Sequence, residues 1–140
     1  MGKKRAFIAT AVPFDNEMKE RIKKHKNERG MLFDTFEEPI YLNKILKKTN
    51  SYDVRIIECL TTWLGNLFYE KLDPNIMSER LIESLNGNEI IVTNEVGMGI
   101  VPNNPMTRQY VEELGRLNAK IAALCDEVYF MVSGIALKIK

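Results

Sequence analysis

The stretch "RIKKHKNERG", Arg21 to Gly30, contains the only histidine of the chain, His25. Between Lys19 and Arg29 stand six cations, Lys19, Arg21, Lys23, Lys24, Lys26 and Arg29, against Glu20 and Glu28. A histidine that attacks phosphorus must present a neutral imidazole, and cations around it disfavour the imidazolium. The same cations would stabilise a triphosphate and a departing pyrophosphate. This composition is compatible with a phospho- or nucleotidyl-histidine intermediate. It is equally compatible with a solvated lysine-rich helix. A second chemical signal is "RIIE", an apolar strand ending on Glu58, where an acid can meet Mg²⁺ or its water beside a phosphate. Further polar residues that would close strands are Thr10, Thr93, Asn94 and Glu95.

The elements that must position these groups follow from periodicity and stop signals. "KRAFIATA" is a short apolar run, a buried strand stopped by Pro13. Asp15 caps a helix to about Glu28, with Gly30 as its C-terminal stop. On it Met18, Ile22 and His25 fall at i, i+4 and i+7, which predicts a half-buried histidine. Pro39 suits the first turn of a second helix, "EEPIYLNKILKK". "YDVRIIEC" reads as a strand. In "LTTWLGNLFYEKL" Leu60, Trp63, Leu64, Leu67 and Phe68 follow the amphipathic helical pattern. Asp73-Pro74 caps another helix to about Leu85, and "NGNEIIVTNE" is a turn followed by a strand. After the loop "VGMGIVPNN", Asn104-Pro105 opens the longest helix, with Tyr110, Val111, Leu114, Leu117, Ile121 and Leu124 on one face. "EVYFMVSG" and "IALKIK" close the chain as a hairpin around Ser133-Gly134. Strands alternating with helices predict an α/β fold: three layers, a mostly parallel sheet with helices on both faces, and a C-terminal antiparallel hairpin.

Composition limits the function classes. The chain has 140 residues, enough for a single domain, 1–140, with one core. Lys and Arg number 20 against 19 Asp and Glu, so no overall basic footprint for nucleic acid exists. Cys59 and Cys125 lie in apolar runs and read as buried thiols of a reducing, cytoplasmic compartment. No Cys/His cluster has metal-ligand spacing. No run approaches the ~18 apolar residues of a membrane span, and the N-terminus does not read as a signal peptide.

The strings "NEVGMGIVP", "GRLN" and "DEV" are specific. With "IIECLTTWLGNLF", "TFEEP", "FIAT" and "DNEMKERIKKHKNERG" they carry a resemblance over essentially the whole chain. It resembles the adenosylcobinamide kinase/adenosylcobinamide-phosphate guanylyltransferase family of cobalamin biosynthesis. The resemblance implies a RecA-like P-loop NTPase fold, usually a homotrimer. It implies phosphorylation of adenosylcobinamide, then transfer of GMP from GTP to adenosylcobinamide phosphate through a guanylylated histidine. His25 stands at the place of that histidine. Ala9, Thr10, Ala11, Lys26, Asn27, Glu28, Arg29, Glu37 and Glu58 stand where the family contacts nucleotide, and Glu58 is the metal-side acid. GTP (or ATP) and Mg²⁺ are the implied cofactors, and "NEVGMGIVP" would shape the cobinamide or subunit-contact region.

One departure is large. No G-x-x-x-x-G-K-[ST] occurs in these 140 residues, and the match begins at the family's second strand. A strand–loop–helix unit of roughly 20–30 residues is therefore missing from the match. That unit supplies the backbone cradle, the phosphate lysine and the Ser/Thr ligand of Mg²⁺. Without it kinase activity is not expected of these residues, and the place of that usually central strand must be closed by the remaining strands or by another subunit. Guanylyl transfer through His25 remains the enzymatic expectation. The alternative is a degenerate family member or fragment acting as a nucleotide- or corrinoid-binding or structural scaffold.

Overall fold

The computed structural model describes residues 3–140 and divides them into two compact units, one ending at Asn94, the other Glu95–Lys140. In the first, β1 (Arg5–Ala9), α1 (Asn16–Arg29), a 3₁₀ turn (Gly30–Leu32), β2 (Asp34–Glu37), α2 (Leu42–Lys48), β3 (Val54–Glu58), α3 (Leu60–Tyr69), α4 (Pro74–Glu83) and β4 (Glu89–Val92) follow in order. The four strands form one parallel sheet in the order β2-β1-β3-β4. Of the two expected ways of closing the sheet, the described residues show the first, closure by the remaining strands. β3 pairs directly with β4, from Arg55 opposite Glu89 to Glu58 opposite Val92.

Register and alternation sort the strand residues onto two faces. Ala6, Ile8, Arg55 and Ile57 are buried on one. Arg55 reaches the carbonyl of Leu46 on α2 from this face, Nη1 to oxygen 2.7 Å. Phe7 and Ile56 project to the other, where the guanidinium of Arg29, at the end of α1, lies 3.7 Å above the Phe7 ring. Helices therefore lie on both sides of the sheet. The core gathers Leu42 and Leu46 of α2, Leu60, Trp63, Leu64 and Leu67 of α3, and Met77 and Leu81 of α4. Trp63 also donates from Nε1 to the carbonyl of Ile40 at 2.7 Å, which satisfies its one polar atom.

Local signals set most boundaries. The Asp15 side chain accepts from Met18 N at 2.7 Å, and Gly30 ends α1 at φ 49°. Asp73 caps α4. One expectation is corrected and one element is added. α2 begins at Leu42 rather than Pro39, because the Glu38 carboxylate takes the N–H groups of Ile40 and Tyr41, both at 3.0 Å, and holds a turn there. "DTFE" forms a strand no periodicity announced: it exists because Ala6 to Ala9 of β1 pair with it.

The second unit contains α5 (Pro105–Leu124) and a separate two-stranded antiparallel sheet, β5 (Tyr129–Val132) with β6 (Ile135–Lys138). Asn104 caps α5 by accepting from Met106 and Thr107 N. α5 buries Leu114, Leu117 and Ile121, whereas Leu124 is exposed. Ser133 and Gly134 turn the hairpin with φ 52° and 76°, the geometry of a tight two-residue connection. Cys59 and Cys125 are thiols outside any disulfide and are half-buried, not buried as expected. No helix among the described residues is long and apolar enough to cross a membrane.

One face of the hairpin carries an ion pair. Lys138 Nζ donates to Glu127 at 2.9 Å and Tyr129 OH donates to the same carboxylate at 2.8 Å. The Lys138 hydrogen bond first, then that of Tyr129, hold the Glu127 carboxyl below its ordinary value of 4.5. A depressed acid contributes above its unfolded value and loses that contribution as pH falls through the folded one. By carboxyl-carbon NMR, Glu127 is expected to titrate below the ordinary glutamate range. In a Lys138→Met variant its midpoint should rise; an unmoved midpoint would refute the pairing in solution.

Candidate functional site

At the carboxyl edge of the sheet, Ala9 stands opposite Glu37 on β2 and opposite Glu58 on β3. With strands about 4.8 Å apart, the two acids are separated by roughly 10 Å of backbone on the face that carries Phe7. Both glutamates are exposed, and neither carboxylate has a hydrogen bond or ion pair among the described residues. Val92 continues the row on β4.

Thr10 fixes this edge from within. Its hydroxyl accepts from Cys59 N at 2.9 Å and donates toward the carbonyls of Cys59 and Glu58 at 2.9 and 3.2 Å. Its N–H goes to Glu58 O at 3.0 Å. The Asn66 amide of α3 donates to the carbonyls of Thr10 and Pro39 at 2.8 and 3.0 Å. Thr10 is fully buried, so its side chain holds the exits of β1 and β3 together rather than facing solvent. A Thr10→Val variant leaves Cys59 N–H unpaired and should lose about 1–3 kcal/mol of stability. Urea unfolding followed by Trp63 fluorescence measures this, and an unchanged midpoint would remove the latch from the account.

α1 hangs beside this edge without burying any residue completely. Lys19, Ile22, Lys23 and Lys26, spaced at helical intervals, line a groove of about 300 Å³ with Pro13 and Glu37. Three lysines and one glutamate thus border a space open to solvent, and the excess of positive charge there suits a polyanion. Of the predicted nucleotide contacts, Lys26 and Glu37 meet here. Ala9 ends β1, and Ala11 lies in the segment that leads from it to α1. Asn27 and Glu28 lie on a different, open surface of α1 with Glu20, Lys23 and Lys24. Arg29 is turned inward onto Phe7, and its Nε is buried without a hydrogen-bond partner among the described residues.

His25 is not half-buried as its spacing predicts. Its side chain is 65% exposed, and Nδ1 lies 3.3 Å from Glu28 Oε2. Lys24 Nζ stands 3.9 Å from the other oxygen of the same carboxylate. The imidazole flanks the lysine groove rather than lining it, one residue and about 100° round the helix from Lys26. α1 exposes its histidine because Met18 and Ile22 are themselves only half-covered.

Lys19 and Lys23 stand in the predicted cation cluster without being set apart from its other members, and Asn66 is not among the predicted site residues. The lysines follow a spacing of four and three residues ahead of Lys26, a signal that was legible. Asn66 had only its oddness as an amide in an apolar helix. Thr93 and Asn94 lie beyond β4, where Asn94 N donates to the Thr61 hydroxyl at 2.9 Å. Glu95 belongs to the second unit and accepts from Gly97 N at 2.8 Å. Among the described residues, no three His, Cys, Asp or Glu side chains converge as a metal site. An ion held by nucleotide phosphates needs only one or two protein carboxylates, and Glu58, the expected metal-side acid, is exposed at the carboxyl end of β3.

Residues 1–139 match the family model described as cobinamide kinase / cobinamide phosphate guanyltransferase. The bifunctional adenosylcobalamin biosynthesis protein CobP of Pseudomonas aeruginosa is 37% identical over 143 residues, covering 96% of this chain and 82% of that protein. The corresponding protein CobU of Escherichia coli is 34% identical over 153 residues, covering 96% of this chain and 84% of that one. CobU of Salmonella typhimurium is 36% identical over the same length.

Proposed function

The chain belongs to the cobinamide kinase / cobinamide phosphate guanyltransferase family, and from that premise we propose that it acts in cobalamin biosynthesis as a guanylyltransferase working through His25. The observation that carries the proposal is the only histidine of the chain, exposed beside a groove of three lysines at the carboxyl edge of a parallel sheet.

The Glu28 carboxylate faces Nδ1, so the proton belongs on Nδ1 and Nε2 is the attacking atom. Nε2 attacks the α-phosphorus of GTP, an N–P bond forms, and the P–O bond to pyrophosphate breaks. Glu28 takes the Nδ1 proton or shares it while the ring is charged. Lys19, Lys23 and Lys26 hold the phosphates and stabilise the leaving pyrophosphate. A phosphate oxygen of adenosylcobinamide phosphate then attacks the same phosphorus, and the N–P bond breaks to restore the imidazole. Mg²⁺ bound to the nucleotide would neutralise phosphate charge, with Glu58 as the carboxylate placed to meet it or its water. Kinase activity is not part of the proposal, because the phosphate cradle on which it depends has no counterpart in these 140 residues.

The test is incubation with GTP labelled at the α-phosphorus, with Mg²⁺. Covalent label that is acid-labile and alkali-stable is expected, as a phosphoramidate requires. No label would refute the covalent step. A second reading, a nucleotide-binding scaffold without turnover, is favoured by the offset of His25 from the groove. Calorimetric binding of GTP without covalent label would select it.

A further inference from the structure

The chain contains one Asn-Gly step, Asn86-Gly87, in the turn that leads into β4. Gly87 stands there at φ 92°, a conformation that favours a residue without Cβ. The same lack of a Cβ leaves the Gly87 nitrogen unhindered by a side chain of its own. The amide groups of the step are all engaged. Asn86 N and Gly87 N donate to the two oxygens of the Glu89 carboxylate, at 3.0 and 2.9 Å. Asn86 Oδ1 accepts from Asn88 N at 3.2 Å. Asn86 Nδ2 donates to Asn50 Oδ1, just past the end of α2, at 2.8 Å. All of these residues belong to the first compact unit.

We propose that Asn86 is a site of self-modification, deamidation through a cyclic imide, and that Asn50 and Glu89 hold its rate down in the folded chain. The Gly87 nitrogen gives up its proton and bonds to Asn86 Cγ. The Cγ–Nδ2 bond breaks, and Nδ2 leaves as ammonia with that proton. Water then opens the ring. Addition at Cγ gives aspartate in the ordinary chain. Addition at the main-chain carbonyl carbon gives isoaspartate, in which the chain runs through Cβ and Cγ. Water is the only co-reactant. The turn opposes the first step in two ways. Glu89 binds the Gly87 N–H and puts a negative charge beside a nitrogen that must become anionic. The bonds from Asn50 and Asn88 hold the Asn86 amide, which must reorganise as Cγ becomes tetrahedral and Nδ2 departs. The product acts on the knot that secures Arg55. Isoaspartate lengthens the main chain between Asn86 and Gly87 and sets a second carboxylate beside Glu89, the partner of the buried Arg55. No residue of α1 takes part, so the proposal is independent of the guanylyl-transfer reading.

Incubation of the full chain at mildly alkaline pH tests it, followed by peptide mapping that separates aspartate from isoaspartate by mass spectrometry and elution. Among the asparagines, Asn86 is expected to convert first. The folded parent should convert more slowly than the parent in urea. Asn50→Ala removes the bond to Nδ2 and should raise the folded-state rate about fivefold, with no effect in urea. Ser84→Ala loses a nearby hydroxyl bond to the Arg80 carbonyl without touching Asn86, and should convert as the parent does. The urea midpoint read from Trp63 should fall as isoaspartate accumulates. A folded parent and a folded Asn50→Ala chain that both keep Asn86 intact overturn the proposal. So does equal conversion in parent and Asn50→Ala, or equal conversion folded and in urea. A Ser84→Ala chain as fast as Asn50→Ala would reduce the effect to general loosening and equally overturn it, as would earlier conversion of another asparagine. An unmoved midpoint in the converted chain would remove the link to Arg55.

Discussion

Replacing Glu89 by alanine is expected to lower the unfolding free energy by about 3–5 kcal/mol, the cost of stranding a buried charge. Arg55 is fully buried in β3, and its guanidinium is held between the Leu46 carbonyl of α2 and the Glu89 carboxylate of β4. Glu89 also accepts the N–H groups of Asn86 and Gly87 at 3.0 and 2.9 Å, so it organises the turn that leads into β4. One side chain thus joins a helix, two strands and a turn. For a domain whose total stability is about 5–15 kcal/mol, losing it removes a large share. Chemical unfolding, read from the single tryptophan, measures the loss. The double variant Arg55→Met/Glu89→Leu is expected to recover most of it, because an apolar pair of similar volume carries no desolvation cost. A double variant as unstable as the sum of the singles would show that packing, not stranded charge, sets the penalty.

The largest effect on activity is expected at His25. His25→Gln should reduce covalent guanylyl label by at least about a thousandfold, to background, since His25 is the only imidazole of the chain. GTP binding should survive, because the imidazole lies outside the lysine groove. Lys26→Met should do the reverse: weaker GTP binding and slower labelling, with the label still on His25. Titration calorimetry and the labelling time course separate the two. Label that persists in His25→Gln would move the nucleophile elsewhere. Loss of binding in that variant together with label would make His25 a binding residue and favour the scaffold reading.

Much of the site was legible because its signals are local. The histidine, its lysines and Glu58 were apparent from type and spacing. Asp15, Gly30, Asp73 and Asn104 set helix ends through hydrogen bonds or backbone angles that span a few residues. Ser133-Gly134 set the hairpin in the same way. The exposure of His25 was misread. Periodicity put it beside Met18 and Ile22, but no element covers that side of α1 closely enough to bury it.

Sequence by itself determined the alternation of strands and helices, their caps, the nucleophile candidate and the family. These rest on contacts between near neighbours in the chain, or on strings that can be matched directly. Tertiary structure alone decided that "DTFE" is a strand, that β3 pairs with β4, and that Arg55 is buried against Glu89. It also decided that Thr10 and Asn66 knot the carboxyl edge, across 49 and 56 residues respectively. The physical reason is common to all of these. Each is a hydrogen bond or ion pair between groups far apart in sequence, formed only because burial elsewhere has already brought the strands together, and no local pattern records it.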